Sequence, residues 1–172
     1  MSDAIVRDSP SPSIELRTYV PERDAAALAS LFRASVTALT AAHYDAAQRA
    51  AWASSADDVA SFGASLVRGT TLVAVRDGVP VAFGQLWPVD HVEMLYVAPG
   101  WTRRGLATAL LTRLESLARE QGASVLGTDA SALARPVFER AGFSLVSAQT
   151  VWRGGVSLSR FHLAKPLHGT DL

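Results

Sequence analysis

The chain contains no cysteine. That excludes disulfides, thiolate metal sites and a covalent thiol nucleophile, and it leaves the redox compartment unmarked. Nor is there an excess of either charge, because sixteen Lys plus Arg balance sixteen Asp plus Glu in 172 residues. The broad positive field that draws nucleic acid or an anionic membrane surface is therefore missing, and neither is expected as a partner. No apolar run is long enough for a membrane span, and the opening M-S-D-A-I-V-R-D-S-P-S-P-S lacks the apolar stretch of a signal peptide. A cytoplasmic protein acting on a small molecule is the expectation. His43, His91, His162 and His168 show no metal-ligand spacing, so no metal is expected. Both G-x-x-x-x-G-K-[ST] and G-x-G-x-x-G are absent, which removes the usual loops of nucleoside triphosphate hydrolysis and dinucleotide redox chemistry.

What is present is a chain with 49% hydrophobic residues, enough for one sizeable core. A polar tail over 1–13, one domain over 14–165 and a C-terminal tail over 166–172 are expected, with no repeat or linker. Ile14, Leu16, Thr18 and Val20 alternate with polar neighbours, which predicts a first strand ended by Pro21. An alanine-rich helix follows, with Ala25, Leu28, Leu31, Phe32 and Val36 on one stripe. Asp45 is the expected N-cap of a short helix through Trp52, and Asp57 or Ser55 of another through Val67. Asp77-Gly78 joins two apolar runs as a hairpin, and a strand covers His91 to Val97. Leu106, Leu110, Leu114 and Leu117 mark a helix stopped at Gly122. A short strand S-V-L-G-T-D, a helix containing A-R-P-V-F-E-R-A and a last hairpin around Gly154-Gly155 complete an α/β order with a mixed sheet. Pro136 sits awkwardly in that helix, since a proline past the first turn removes a hydrogen bond.

The segment from Val92 to Ala118 runs from apolar strand through a Pro-Gly turn and a basic glycine loop into an amphipathic helix. Backbone amides and Arg103 and Arg104 thus gather at one helix start, where an anion is stabilised. Gly105 and Ala107 keep the backbone accessible, and Thr108 offers a hydroxyl. The helix dipole contributes only ~0.3–2 kcal/mol, so the arginines and several amides together must supply the rest. An ordinary helix start with solvated arginines is the other reading of the same residues.

Leu95-Tyr96-Val97-Ala98-Pro99, the loop T-R-R-G-L-A and the helix from Leu106 resemble the signature of the GNAT superfamily of acyl-CoA-dependent N-acyltransferases. A second signature of that family is similar to Ser131, Ala134, Phe138, Gly142 and Phe143. The stretch His43 to Trp52 resembles a bacterial subgroup of small-molecule acetyltransferases. The resemblance extends over about 14–165 and implies a mostly antiparallel, twisted sheet of six to seven strands flanked by helices, splayed at the strand His91 to Val97. It also implies acetyl-CoA as cosubstrate, bound by Leu95, Tyr96, Val97, Thr102, Arg103, Arg104, Gly105, Leu106, Ala107, Thr108, Ser131 and Phe138. Three positions depart from the pattern: Thr102 stands for Gln or Arg, Ser131 for Asn, and Phe138 for the tyrosine that protonates the leaving thiolate in many members.

The resemblance places Glu93 where some relatives have a general base, although an edge carboxylate paired with an arginine would look the same. Tyr96, Tyr44 and Ser131 remain as acid candidates by residue type, and a thiol of pKa ~8.5 can also leave without one. His43, Tyr44, Trp52, Trp87 and Trp152 are the candidate substrate residues, as an aromatic pocket or as core. The expectation is direct transfer from acetyl-CoA to a small-molecule amine in a ternary complex, with a homodimer left open. A non-catalytic acetyl-CoA sensor and a protein or peptide N-acetyltransferase are the alternatives, the latter without the acidic run that would hold a lysine-rich tail.

Overall fold

The alternation of apolar side chains in T-T-L-V-A-V-R determines the middle of the molecule. Leu72 and Ala74 face one side of their strand and Val73 and Val75 the other, and all four are buried. A strand buried on both faces needs a layer on each side. The computed structural model, which describes residues 13–168, has that arrangement. The tail expected over 1–13 lies outside the described residues except for Ser13, as do residues 169–172.

Seven strands form one sheet: β1 (Glu15–Thr18), β2 (Thr70–Arg76), β3 (Val79–Leu86), β4 (His91–Val97), β5 (Val125–Ala130), β6 (Ser144–Arg153) and β7 (Val156–Pro166). Their order is β1-β2-β3-β4-β5-β7-β6, antiparallel except for β4 beside β5. Helices α1 (Pro21–Leu39), α2 (Ala46–Ala53) and α3 (Val59–Leu66) precede the β2–β3 hairpin, α4 (Leu106–Glu120) follows β4, and α5 (Arg135–Arg140) follows β5. One apolar cluster packs α4, through Leu106, Leu110, Leu111 and Leu114, against Leu72, Leu86, Val92 and Leu126. The other packs Leu28, Phe32, Phe62 and Leu66 of α1 and α3 against Val73, Val75 and Phe83. A Cβ at Gly84 would sit 2.9 Å from Leu114 Cδ1, so this glycine lets α4 lie close on the sheet.

Several local expectations hold for identifiable reasons. Asp45 accepts from the Gln48 N–H at 2.8 Å while Gln48 Oε1 accepts from the Asp45 N–H at 2.9 Å, a reciprocal cap. Pro136 falls in the first turn of α5, where its missing N–H costs nothing, so the helix starts at Arg135. The cap of α3 is neither Asp57 nor Ser55 but Asp58, because Ser54–Ala56 first form a 3-10 turn. Asp58 then accepts from the Ser61 N–H at 3.2 Å. At the start of the tail expected over 166–172, β7 continues to Pro166, and Leu167 is buried with its N–H donated to Ser124 O at 2.8 Å.

The buried Asp24 binds the end of β1 to α1. Its two oxygens accept from Arg17 at 2.7 and 2.8 Å, and one also accepts from the Val20 N–H at 2.8 Å. Among the described residues no helix is long and apolar enough to cross a membrane.

Candidate active site

The centre of the sheet opens because β4 carries one extra residue. Gln85 pairs with Met94 and Leu86 with Val92, so Glu93 has no partner on β3 and forms a bulge. A bulge re-aims side chains and ends regular pairing. On its other side β4 pairs with β5 only at His91–Gly127 and Val92–Thr128, and past Val92 the two parallel strands part. The Ala98 N–H donates to Val81 O at 2.9 Å. Bonded positions alternate in antiparallel pairing, so the main-chain groups of Leu95 and Val97 point into the gap rather than at β3.

At the mouth of the gap lies a cavity of about 620 Å³ between the ends of α1 and β4 and the starts of α4 and α5. Leu95, Tyr96, Val97, Thr102, Arg103, Gly105, Leu106, Ala107, Thr108 and Ser131 line it. Gly105 is the N-cap of α4 with φ 77°, and no side chain caps the helix. An ideal Cβ there meets no atom within 4 Å, so the backbone conformation rather than crowding calls for glycine. The uncapped first-turn N–H groups face the cavity. Arg103 and Arg140 are its charged lining side chains among the described residues, with no carboxylate beside them. The chemistry of this surface is that of an anion site.

Arg104 does not line the cavity. Its guanidinium lies 4.5 Å over the Trp101 ring, which Arg76 approaches from 5.2 Å. Phe138 is buried in the core against Phe143, ring centroids 5.2 Å apart, and reaches only a narrow cleft of about 60 Å³ beside the splayed strands. That cleft also touches Glu93, Leu95 and Thr128.

A second cavity, of about 120 Å³, lies where β4 and β5 meet the last hairpin. Tyr44, Trp52 and Tyr96 form its aromatic side, and Glu93, Asp129, Arg153 and Arg160 supply charge beside the His91 imidazole. Tyr44 donates to Ser159 O at 2.8 Å, and Gln48 Nε2 donates to Ser157 O at 3.0 Å, so α2 and the turn before it are anchored to β7. Asp129 Oδ1 lies 3.0 Å from His162 Nδ1, and its Oδ2 lies 3.7 Å from His91 Nε2 and 3.9 Å from Arg160. Glu93 Oε2 lies 3.5 Å from the same His91 nitrogen. Of the expected substrate residues, His43 and Trp152 are exposed and Trp87 is stacked under Arg68 at 4.3 Å, and none of the three lines a cavity.

Trp52, Tyr96 and Ser131 line all three spaces, so the cavities converge there. The Tyr96 ring is held by Phe32 at 4.7 Å, Phe83 at 5.6 Å and Trp52 at 6.4 Å. Burial pushes its hydroxyl up to about 12, opposed in part by polar contact with Trp52 and the charge of Arg153. Burial also raises the Tyr44 hydroxyl, against the Ala132 N–H that donates to it at 3.0 Å. The Tyr44 proton is committed to Ser159 O. Ser131 Oγ accepts from the Ala134 N–H at 3.1 Å and fixes the turn into α5.

Sequence reasoning missed Asp129, Arg140, Arg153 and Arg160. Asp129 was visible at the end of its strand, but its role depends on the parallel neighbour β4. Gln149 opposite Arg160 and Val151 opposite Leu158 put Arg153 and Arg160 on one face of the hairpin, which only the register shows.

The splayed central strand thus leads through a basic loop into an uncapped helix start, a gap with an anion-binding end. Residues 28–143 match the family model described as Acetyltransferase (GNAT) family, and the chain belongs to that family of acyl-CoA-dependent N-acetyltransferases. The Escherichia coli (strain K12) protein described as uncharacterized N-acetyltransferase YafP is 35% identical over 158 residues, covering 91% of this chain and 99% of its own. The crystal structure of a GCN5-related N-acetyltransferase from Rhodopseudomonas palustris, also described as an aminotransferase of class II, is 43% identical with a TM-score of 0.86, covering 91% of this chain and 96% of that one. At 18% identity and a TM-score of 0.73, the PaiA N-acetyltransferase of Thermoplasma acidophilum, solved in complex with coenzyme A, shares the fold over 90% of this chain and 99% of its own.

Proposed function

We propose that the chain transfers the acetyl group of acetyl-CoA to the amine of a small molecule in a ternary complex. The observation that carries this is the meeting of a cavity bearing only cationic charge with a smaller one bearing carboxylates, at Tyr96 on the opened strand. The α4 amides of Gly105 to Thr108 and the side chains of Arg103 and Arg140 would hold the pyrophosphate and phosphate groups. The free main-chain edge at Leu95 and Val97 would hold the pantetheine arm and present an N–H to the thioester oxygen. Acetyl-CoA supplies the activated acyl carbon.

Glu93, exposed at the bulge on the acceptor side, takes the amine proton directly or through a water. The amine nitrogen then bonds to the acyl carbon, the C–S bond breaks, and the sulfur leaves as thiolate. Tyr96 faces that position from the junction. A phenol at about 12 would give its proton to a thiolate of pKa ~8.5 only at a cost of ~5 kcal/mol. Tyr96 therefore stabilises the thiolate by donating a hydrogen bond while keeping its proton. Tyr96→Phe should lower kcat about tenfold with an unchanged basic limb of the pH profile. A lost basic limb in steady-state rates would instead make Tyr96 the proton source.

The phosphate contacts separate the two loop arginines. Arg103→Ala should raise the KM for acetyl-CoA by about tenfold or more, the loss of one charge-assisted contact, with kcat little changed. Arg104→Ala should leave that KM nearly unchanged, because its guanidinium is engaged on Trp101. Equal effects of the two substitutions would contradict this placement.

Mixing the protein with acetyl-CoA and a panel of amines, with free thiol detected, tests the proposal as a whole. Amine-dependent release of CoA supports it. Acetyl-CoA binding without release on any amine would overturn it in favour of a sensor.

A further inference from the structure

The acceptor cavity carries both signs of charge, and most of that charge is already neutralised internally. Asp129 is shared among His162, His91 and Arg160, and Arg160 also donates to Gln149 Oε1 at 2.9 Å. Two groups are left for a ligand. Glu93 stands on the bulge with the His91 imidazole, 3.5 Å away, as its one ion-pair neighbour among the described residues. Arg153 lines the cavity from the end of β6 and has no carboxylate partner among the described residues.

We infer that the acceptor is a small zwitterion, an amine bearing a carboxylate on the same molecule, with its amino end at Glu93 and its carboxylate at Arg153. The inference rests on the acetyl-transfer reading and names the substrate class of that site.

Three alternatives fit less well. A polycation would meet Arg153 and Arg160 in a space of only about 120 Å³. An uncharged apolar amine would suit Tyr44, Trp52 and Tyr96 but would strip water from Glu93 and Arg153 without replacing it, which a site built with polar groups penalises. A peptide lysine would bring an amine with no carboxylate at the matching distance. Arg153 and Tyr96 line the same cavity, so the Arg153 side chain stands on the acceptor side of the junction. Its guanidinium is planar and forks onto a carboxylate, a match that an ammonium group does not reproduce.

Because Arg153 is exposed, its contribution is that of a partly screened contact, of the order of tenfold rather than a thousandfold. The test uses matched triplets: an amino acid, its amide and the amine lacking the carboxyl group, for one aliphatic and one aromatic side chain. CoA release gives kcat/KM for each in the unmodified protein, in Arg153→Gln and in Arg153→Lys. Expected is a preference of about tenfold for the free carboxylate. The preference should fall to within about twofold in Arg153→Gln and be partly restored in Arg153→Lys, with the acetyl-CoA KM unchanged throughout. Equal or better use of the amide or the plain amine, or a preference that survives Arg153→Gln, overturns the zwitterion assignment while leaving acetyl transfer standing. No CoA release with any member, despite acetyl-CoA binding, overturns both.

Discussion

Glu93→Gln is expected to lower kcat/KM by ~10²-fold to 10³-fold, the usual scale of a positioned general base, while the acetyl-CoA KM stays nearly unchanged. The substitution preserves the size of the side chain and removes only its capacity to take a proton. Two structural facts make the expected loss large. The bulge gives Glu93 no partner on β3, so its carboxylate is turned toward the acceptor cavity instead of being fixed in the sheet. Its neighbour His91 stands between it and Asp129 at 3.5 and 3.7 Å, and can accept or pass on the proton once the amine has given it up. Unchanged rates in Glu93→Gln would assign the base role elsewhere, to His91 first.

Asp24→Asn is expected to destabilise the fold by about 3 kcal/mol, because it leaves the half-enclosed Arg17 guanidinium without its counter-charge. For a domain of this size that corresponds to a fall in Tm of about 6–12 °C. The Arg17 pair, then the Val20 N–H, holds the Asp24 carboxyl below its ordinary value against the opposing effect of burial. Above the unfolded-state pKa of about 3.9 this stabilisation is fully present. As pH falls below that value the unfolded chain takes up the proton first, so the contribution shrinks until pH has passed through the lower folded-state pKa. Acid titrations of stability should therefore show a steeper loss below about pH 4 in the unmodified protein than in Asp24→Asn. Equal Tm and parallel acid limbs would reduce the pair to a surface contact. Since neither Asp24 nor Arg17 lines any of the three cavities, the variant's kcat at low temperature should be unaltered.

The parts of the fold governed by local rules were legible in the sequence. Asp77-Gly78 demanded a hairpin turn, with Asp77 at φ 50° and Gly78 at φ 77°, and Asp45 was legible as the N-cap of α2, although Gln48's half of the capping box was not. The β4–α4 segment announced both its strand and its basic helix start. Asp58 was missed because three candidate caps lie within four residues, and which one wins depends on a 3-10 turn fixed by packing. The aromatic pocket was only half legible. Tyr44 and Trp52 are brought to Tyr96 by the α2 anchors on β7, whereas His43 is the exposed neighbour of buried Tyr44 and Trp152 faces outward on β6. Apart from Glu93, charge on the acceptor side was not legible. It is assembled from β4, β5, β6 and β7, which become neighbours through one parallel pairing and one register that no local pattern encodes.

On the proposed reading, Tyr96 takes the place of a tyrosine at position 138. Phe138 packs on Phe143 in the core, while Tyr96 and Ser131 are the hydroxyl-bearing side chains that line all three cavities, Tyr96 on the splayed strand itself.

The most direct test is a crystal structure of the protein with acetyl-CoA bound. The expected result is pyrophosphate on the amides of Gly105 to Thr108 with Arg103 in contact, pantetheine along Leu95 and Val97, and the thioester beside Tyr96 with its acetyl group facing Glu93. Cofactor bound away from the β4–α4 loop, or an acetyl group turned from the cavity that holds Glu93 and Arg153, would contradict the account.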